Sequence, residues 1–195
     1  VKKKTDVIYF EPFANPTLDV IDVKSAIEIG KAAGGIVVVD NTFLTPYLLR
    51  PLDMGADIVL HSATKYLCGH GDTLAGIIVS KTEEMGHQID HIRNAYGGIL
   101  SPQNAFLLLR GIKTLPVRMK LHCSNAQSVA EFLELHPKIK QITYPGLPSS
   151  QGHKIAKTMT NGFGGMINFE TVDNETHHQF LKKVTLCKPW VSLGD

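Results

Sequence analysis

Lys65 stands in the run Ser62-Ala63-Thr64-Lys65-Tyr66, which sets a primary amine beside two hydroxyls. Hydroxyls of this kind suit phosphate oxygens. A lysine among them is either a phosphate-binding point charge or a nucleophile able to form a Schiff base. Asp40 follows the apolar run from Ile36 to Val39, so its carboxylate is partly desolvated and asks for a cationic partner. A protonated ring nitrogen would serve. Asn15, followed by Pro16, ends an earlier apolar stretch. Taken singly, these residues read as a turn, a helix cap and a surface lysine. Each following an apolar strand, they read better as parts of one site.

Such a site needs strands that deliver the residues to a common rim. The β-rich run Val7–Phe10 breaks at Asn15-Pro16. Asp19 or Asp22 can cap a helix running to about Ala33, with Gly34-Gly35 as its stop. Ala26, Ile27, Gly30 and Ala33 fall at helical spacing and give that helix a face of small residues for close packing on a sheet. Residues 36–39 are apolar without interruption, as in a strand buried on both faces. A shorter helix is expected over residues 47–54, ending at Gly55. Residues 58–60 and 74–80 read as further strands. This alternation argues for an α/β fold with a mostly parallel sheet covered by helices. In an open sheet of that kind, ligands bind outside the carboxyl ends of the strands.

From residue 83 onward helices dominate. Residues 83–95 and 101–110 read as helices, and residues 115–135 as one long helix with Met119, Ala126, Val129, Ala130 and Leu133 on a common stripe. His136-Pro137 ends it. Strands are expected over residues 139–144 and 165–170, and helices over residues 153–158 and 175–184. A domain boundary near Pro116 divides residues 1–116 from an incomplete C-terminal α+β domain, residues 117–195, that the long helix opens.

Composition narrows the class. The chain has 195 residues, 43% apolar and 19% charged, with 20 basic against 18 acidic side chains. That balance gives no strong field for nucleic acid, and no apolar run is long enough to span a membrane. The Lys2–Lys4 run reads as a solvated edge. Cys68, Cys123 and Cys187 lack CxxC spacing, which argues against a disulfide scaffold and a structural zinc site. A reducing, cytoplasmic compartment is the default. Cys68, His70 and Asp72, with His61 nearby, are ligand types at a spacing that matches no standard zinc pattern, so no metal is expected. Cys68 reads as a small buried hydrophobe. The chain begins with Val1 and stops at Asp195, and reads as a segment of a longer protein.

A lysine paired with an aspartate that addresses a pyridinium nitrogen is the protein-side signature of pyridoxal 5'-phosphate, PLP. Further runs carry a resemblance. Asp40-Asn41-Thr42-Phe43, Gly55-Ala56-Asp57-Ile58 and Ser62-Ala63-Thr64-Lys65-Tyr66 with Gly69-His70 occur in one chain. So do Asn15-Pro16-Thr17, Arg110-Gly111-Ile112-Lys113-Thr114-Leu115, Tyr144-Pro145-Gly146-Leu147 and Ser192-Leu193-Gly194. This set resembles the cysteine/methionine-metabolism family of PLP-dependent enzymes over essentially the whole chain.

The resemblance implies PLP fold type I, the aspartate-aminotransferase-like fold. It implies that Lys65 binds the cofactor covalently, that Asp40 partners the pyridine nitrogen, and that Ser62 and Thr64 are phosphate ligands. Asn15 resembles the residue near the ring hydroxyl and the substrate carboxylate, and Ser192 a substrate-carboxylate contact. A freed Lys65 amine would move a proton between the substrate's Cα and Cβ. The implied reaction is elimination or replacement at the γ (or β) carbon of a sulfur amino acid or homoserine derivative. Methionine γ-lyase and cystathionine γ-lyase types come first, and γ-replacement enzymes second. A non-catalytic binding or assembly module is a rival that the pairing of Lys65 with Asp40 disfavours. Val191-Ser192-Leu193-Gly194-Asp195, residues 115–119 and the stretch from Tyr96-Gly97-Gly98 to Ser101-Pro102 look most like methionine γ-lyases. Lys188-Pro189-Trp190 departs from the small or hydroxylated residues expected there. The family's phosphate-binding glycine turn, ring-stacking aromatic, and tyrosine and arginine lent by a neighbouring subunit are expected before Val1, and its carboxylate-gripping arginine after Asp195. A dimer of dimers with shared active sites is the implied assembly.

Overall fold

In the computed structural model, residues 5–189 and 191–195 are described. The Lys2–Lys4 run and Trp190 lie outside the described residues.

β1 (Val7–Phe10) pairs in parallel with β2 (Ile36–Asp40), and β2 in parallel with β3 (Ile58–Ser62). β4 (Gly76–Ser80) follows β3 without an intervening helix and pairs with it antiparallel, giving the order β1-β2-β3-β4. A parallel return would have required a crossover segment, usually helical. The expected mostly parallel sheet forms, with one antiparallel edge. Val37, Val38 and Val39 are buried, as a strand covered on both faces requires.

α1 (Val23–Ala32) starts where expected. The Asp22 carboxylate accepts the Ser25 N–H at 3.1 Å, a cap worth about 1 kcal/mol. Its face of small residues lets it lie close on the sheet: a Cβ on Gly30 would come within 2.6 Å of Val37 Cγ2. α2 (Thr45–Leu48) is shorter than the helix expected over residues 47–54. Leu49 is already extended at φ −146° and ψ 139°. Arg50 precedes Pro51, whose ring disfavours helical backbone in the residue before it.

α3 (Glu83–Tyr96), α4 (Pro102–Ile112) and α5 (Leu115–Glu134) follow. On α5 the buried side is Leu115, Met119, Ala126 and Ala130. Val129, expected on that stripe, is exposed instead. One residue along a helix is a rotation of about 100°, which takes Val129 off the side that Ala130 faces. β5 (Ile139–Thr143) pairs antiparallel with β6 (Asn168–Thr171), with α6 (His153–Met159) between them and α7 (Asn174–Lys183) after. β6 starts later than expected, at Asn168, where its pairing with the last residue of β5, Thr143, begins.

The main core runs from the sheet to Leu108, Leu115 and Met119, so α5 opens inside it. The far end of α5 packs Ala126 and Ala130 with Tyr144 and Leu147 in a second, smaller cluster. Among the described residues no helix is long and apolar enough to cross a membrane.

Candidate active site

The carboxyl ends of β1, β2 and β3 open on a cleft of about 200 Å³, lined by Asn15, Asp40, Thr42, Phe43, Ser62 and Lys65 among others. Asp40 ends β2, and donors hold both of its oxygens. Oδ1 accepts from the Thr42 N–H at 3.1 Å and from the Thr42 hydroxyl at 2.5 Å, while Oδ2 accepts from the Tyr9 hydroxyl at 2.8 Å. Thr42 Oγ1 in turn accepts the Ser62 N–H at 2.8 Å, so one hydroxyl ties the end of β2 to the end of β3.

Tyr9 lies in β1 opposite Val38. Burial, its bond to Asp40, and the charges of Asp40 and Glu11 push its phenol up to about 12. It therefore remains a neutral donor to the carboxylate at any physiological pH.

Lys65 follows β3 in a tight turn. The Lys65 N–H donates to Ser62 O at 3.2 Å, Cys68 N–H to Ala63 O at 2.9 Å and Gly69 N–H to Lys65 O at 2.8 Å. Its side-chain amine donates to Ser192 Oγ at 3.1 Å. Val191 and Leu193, on either side of Ser192, also line the cleft.

The structure thus gathers Asn15, Asp40, Ser62 and Lys65 at one cleft, with Ser192 joined through Lys65. Thr64 is not gathered with them. Its hydroxyl accepts the Ala75 N–H at 3.1 Å and donates to Ala75 O at 3.3 Å, which fastens the loop before β4 instead. Sequence reasoning passed over Tyr9 and Thr42. The spacing Asp40-Asn41-Thr42 is a local signal for Thr42, since an aspartate commonly accepts from the residue two positions on. Tyr9 carries no such signal, because only strand register brings it to Asp40.

Cys68 is fully buried, as expected; burial pushes its thiol pKa up and Sγ donates to Asp72 Oδ1 at 3.1 Å. Among the described residues no three His, Cys, Asp or Glu side chains gather as a metal site would need.

This donor set suits pyridoxal phosphate. A carboxylate held by donors on both oxygens keeps lone pairs for a protonated ring nitrogen. An amine at the same cleft can reach an aldehyde, and the Ser62 hydroxyl, with no protein partner among the described residues, can donate to a phosphate.

Comparison with known proteins agrees with that chemistry. The profile of the Cys/Met metabolism PLP-dependent enzymes matches residues 1–195. A cystathionine beta-lyase of Lactococcus lactis subsp. cremoris is 47% identical over 193 residues, which cover 99% of this chain and 51% of that protein. An L-methionine gamma-lyase of Fusobacterium nucleatum subsp. polymorphum is 45% identical over 199 residues, covering 100% of this chain and 50% of that protein. Among solved structures, cystathionine gamma-lyase from Lactobacillus plantarum complexed with L-serine superposes with a TM-score of 0.96 at 41% identity, covering 100% of this chain and 51% of that one. The chain spans about half the length of the curated relatives it matches.

Proposed function

Because the chain belongs to the Cys/Met metabolism PLP-dependent enzymes, we propose that the whole protein is a carbon–sulfur lyase of the methionine γ-lyase or cystathionine γ-lyase type. It would act at the γ (or β) carbon of a sulfur amino acid. The observation that carries this reading is the meeting of Lys65, Asp40 and Ser62 at the carboxyl ends of parallel strands.

Bound pyridoxal phosphate supplies an electron sink for the substrate carbon that bears the amino group. The chain's residues do the rest. Lys65 would hold the cofactor and, once released, its Nζ would take the proton from the substrate's Cα and, after passing it on, one from Cβ, so that the γ carbon–sulfur bond can break and the sulfur leave as a protonated thiol; tethering over those carbons gives the amine a high effective concentration. Asp40 keeps a proton on the ring nitrogen, and Thr42 and Tyr9 hold its carboxylate in place for that task. Ser62 would bind the phosphate, and Thr64 would add a second hydroxyl by turning its donation away from Ala75 O while still accepting the Ala75 N–H. Ser192 would orient the Lys65 amine, and Asn15, which lines the same cleft, would meet a ring hydroxyl or a substrate carboxylate.

Assembly and location belong to the same reading: a cytoplasmic homo-oligomer, a dimer of dimers with shared sites. Ile99, Phe106 and Leu109 are all more than half exposed, which supports a subunit contact along α4 and the segment before it. Leu108 belongs to the core instead.

Borohydride reduction of the full-length protein, followed by peptide mapping, tests the site; the cofactor should be found on Lys65. The products test the reaction. Cystathionine cleaved at the γ carbon yields 2-oxobutanoate, ammonia and cysteine; at the β carbon it yields pyruvate, ammonia and homocysteine. Methionine should yield 2-oxobutanoate, ammonia and methanethiol. A thioether formed from an acyl-homoserine and a thiol, without keto acid, assigns a γ-replacement enzyme instead. No bound cofactor overturns the reading.

A further inference from the structure

Arg118, on the first turns of α5, is half-buried and gives its guanidinium to the backbone of the lysine turn. Nη1 donates to Tyr66 O at 2.7 Å, Nη2 to Gly111 O at 2.9 Å and to Leu67 O at 3.5 Å, and Nε to Thr114 Oγ1 at 3.0 Å. Among the described residues its partners are these carbonyls and one hydroxyl, with no carboxylate. Surface arginines spend their charge on acids or water; this one spends it on the two residues that follow Lys65 and on the α4–α5 joint.

The surroundings are shaped to admit it. A Cβ on Gly69, at φ +66°, would stand 2.0 Å from Arg118 Nη1. A Cβ on Gly111 would stand 2.2 Å from Cys68 O, so α4 also presses directly on the lysine turn. One turn further along α5, His122 meets the buried Tyr66 ring edge-on, with centroids 5.1 Å apart. Burial and the Arg118 charge both lower the pKa of His122, which keeps it neutral against that ring.

We propose that Arg118 is a positioning residue for Lys65: its guanidinium fixes the Tyr66 and Leu67 carbonyls to the α4–α5 joint and so sets where the Lys65 amine stands in the cleft. The reason lies in chain connectivity. Tyr66 follows Lys65 directly along the backbone, and among the described residues the Lys65 side chain has a single hydrogen bond, to Ser192. The direction of its long, flexible stem is therefore set by the backbone it grows from. A planar fork that binds several carbonyls at once fixes that backbone where a lysine, a point charge on a flexible stem, cannot. The consequence for turnover rests on the proposed reaction; the effect on the turn does not.

The test uses full-length protein carrying Arg118→Met, Arg118→Lys or Thr114→Val. With the methionine or cystathionine that the wild type turns over, Arg118→Met should lower kcat by about a hundredfold, the scale of a small misplacement of a reacting group. KM should barely move, since Arg118 does not line the cleft. Arg118→Lys should recover little, and Thr114→Val, which leaves the carbonyl contacts in place, should fall between. Guanidinium ion added below denaturing concentration should restore part of the Arg118→Met rate. Hydrogen exchange of the Cys68 and Gly69 amides should quicken in Arg118→Met while the amides of β2 keep their rates. Unchanged kcat and unchanged exchange overturn the proposal. So does exchange that quickens equally in β2, because that marks Arg118 as general scaffolding, or a KM that rises while kcat is unchanged, because that marks lost substrate binding rather than a displaced amine. If Arg118→Met does not fold, Thr114→Val decides by the same criteria. A wild type without cofactor on Lys65 overturns the proposed function alone, and the exchange comparison still decides what Arg118 holds.

Discussion

The Lys65 amine donates a 3.1 Å hydrogen bond to Ser192 Oγ across 127 positions of sequence. The turn after Ser192 makes that reach possible. Gly194, at φ +97°, lies against the lysine's own backbone, and a Cβ there would stand 2.6 Å from Tyr66 N and 2.8 Å from Lys65 C. The segment Ser192–Gly194 is thus seated on the turn that carries the amine.

Gly194→Ala should unseat it. The alanine meets backbone on one side and a disfavoured left-handed conformation on the other. In the full-length protein the cofactor should still be trapped on Lys65 by borohydride, while turnover falls by up to about a hundredfold as the amine loses its orienting hydroxyl. Ser192→Ala should reproduce the rate loss without the strain. Wild-type rates in both variants would mean that this contact does not orient the amine.

Lys65→Ala should abolish turnover and leave no borohydride-trapped cofactor. Lys65→Arg should not rescue either property, since a guanidinium does not make a covalent link to an aldehyde under these conditions. Mapping of the trapped cofactor to another lysine would end the assignment.

The titration of Tyr9 should depend on the charge of Asp40. The Tyr9 phenol is pushed up to about 12 by burial, by its hydrogen bond to Asp40, and by the Asp40 and Glu11 charges. In the unfolded chain a tyrosine ionises near 10. The folded value is the higher one, so the stability Tyr9 contributes is full below about 10 and is lost as pH rises through about 12. Asp40→Asn removes one charge, so the tyrosinate absorbance assigned by Tyr9→Phe should appear at lower pH. An unmoved transition would dissociate the two groups. In turnover, Asp40→Ala should keep the cofactor on Lys65 and lose activity by orders of magnitude, with Asp40→Glu retaining more.

Asp57 should govern part of the acid limb of stability. It accepts the Val37 N–H at 2.8 Å and pairs with Lys31. Burial raises its pKa, but the Lys31 and Val37 bonds and the charges of Lys31 and Lys81 outweigh that and hold it below the usual carboxylate range. Its contribution is therefore present above about pH 4 and is lost as pH falls through the depressed value. Asp57→Asn should cost about 1–2 kcal/mol at neutral pH and flatten the decline in denaturation midpoint toward acid. An acid limb as steep as the wild type would assign that decline to other carboxylates.

The elements and the polar residues at their ends were legible in the sequence because their signals are local. Asp22 three residues before Ser25, the valines before Asp40 and the hydroxyls before Lys65 are all read within a few positions. The limit of α2 was legible as well, in Pro51, although the expected helix ran past it. Val129 was misplaced on the buried side of α5 because an apolar side chain at nearly the right spacing does not reveal which side of a helix meets a neighbour.

What sequence alone determined is the family, the order of strands and helices, and the candidate residues Lys65, Asp40, Ser62 and Asn15, since type and spacing suffice for these. Tertiary structure alone decided which of them lie together at one cleft and what holds them. Tyr9 reaches Asp40 across 31 positions, Arg118 reaches Tyr66 across 52, and Ser192 reaches Lys65 across 127. It also turned the Thr64 hydroxyl toward Ala75 rather than the cleft. Contacts between distant elements depend on strand register and on how closely helices pack, and those are settled only when the whole core is buried at once.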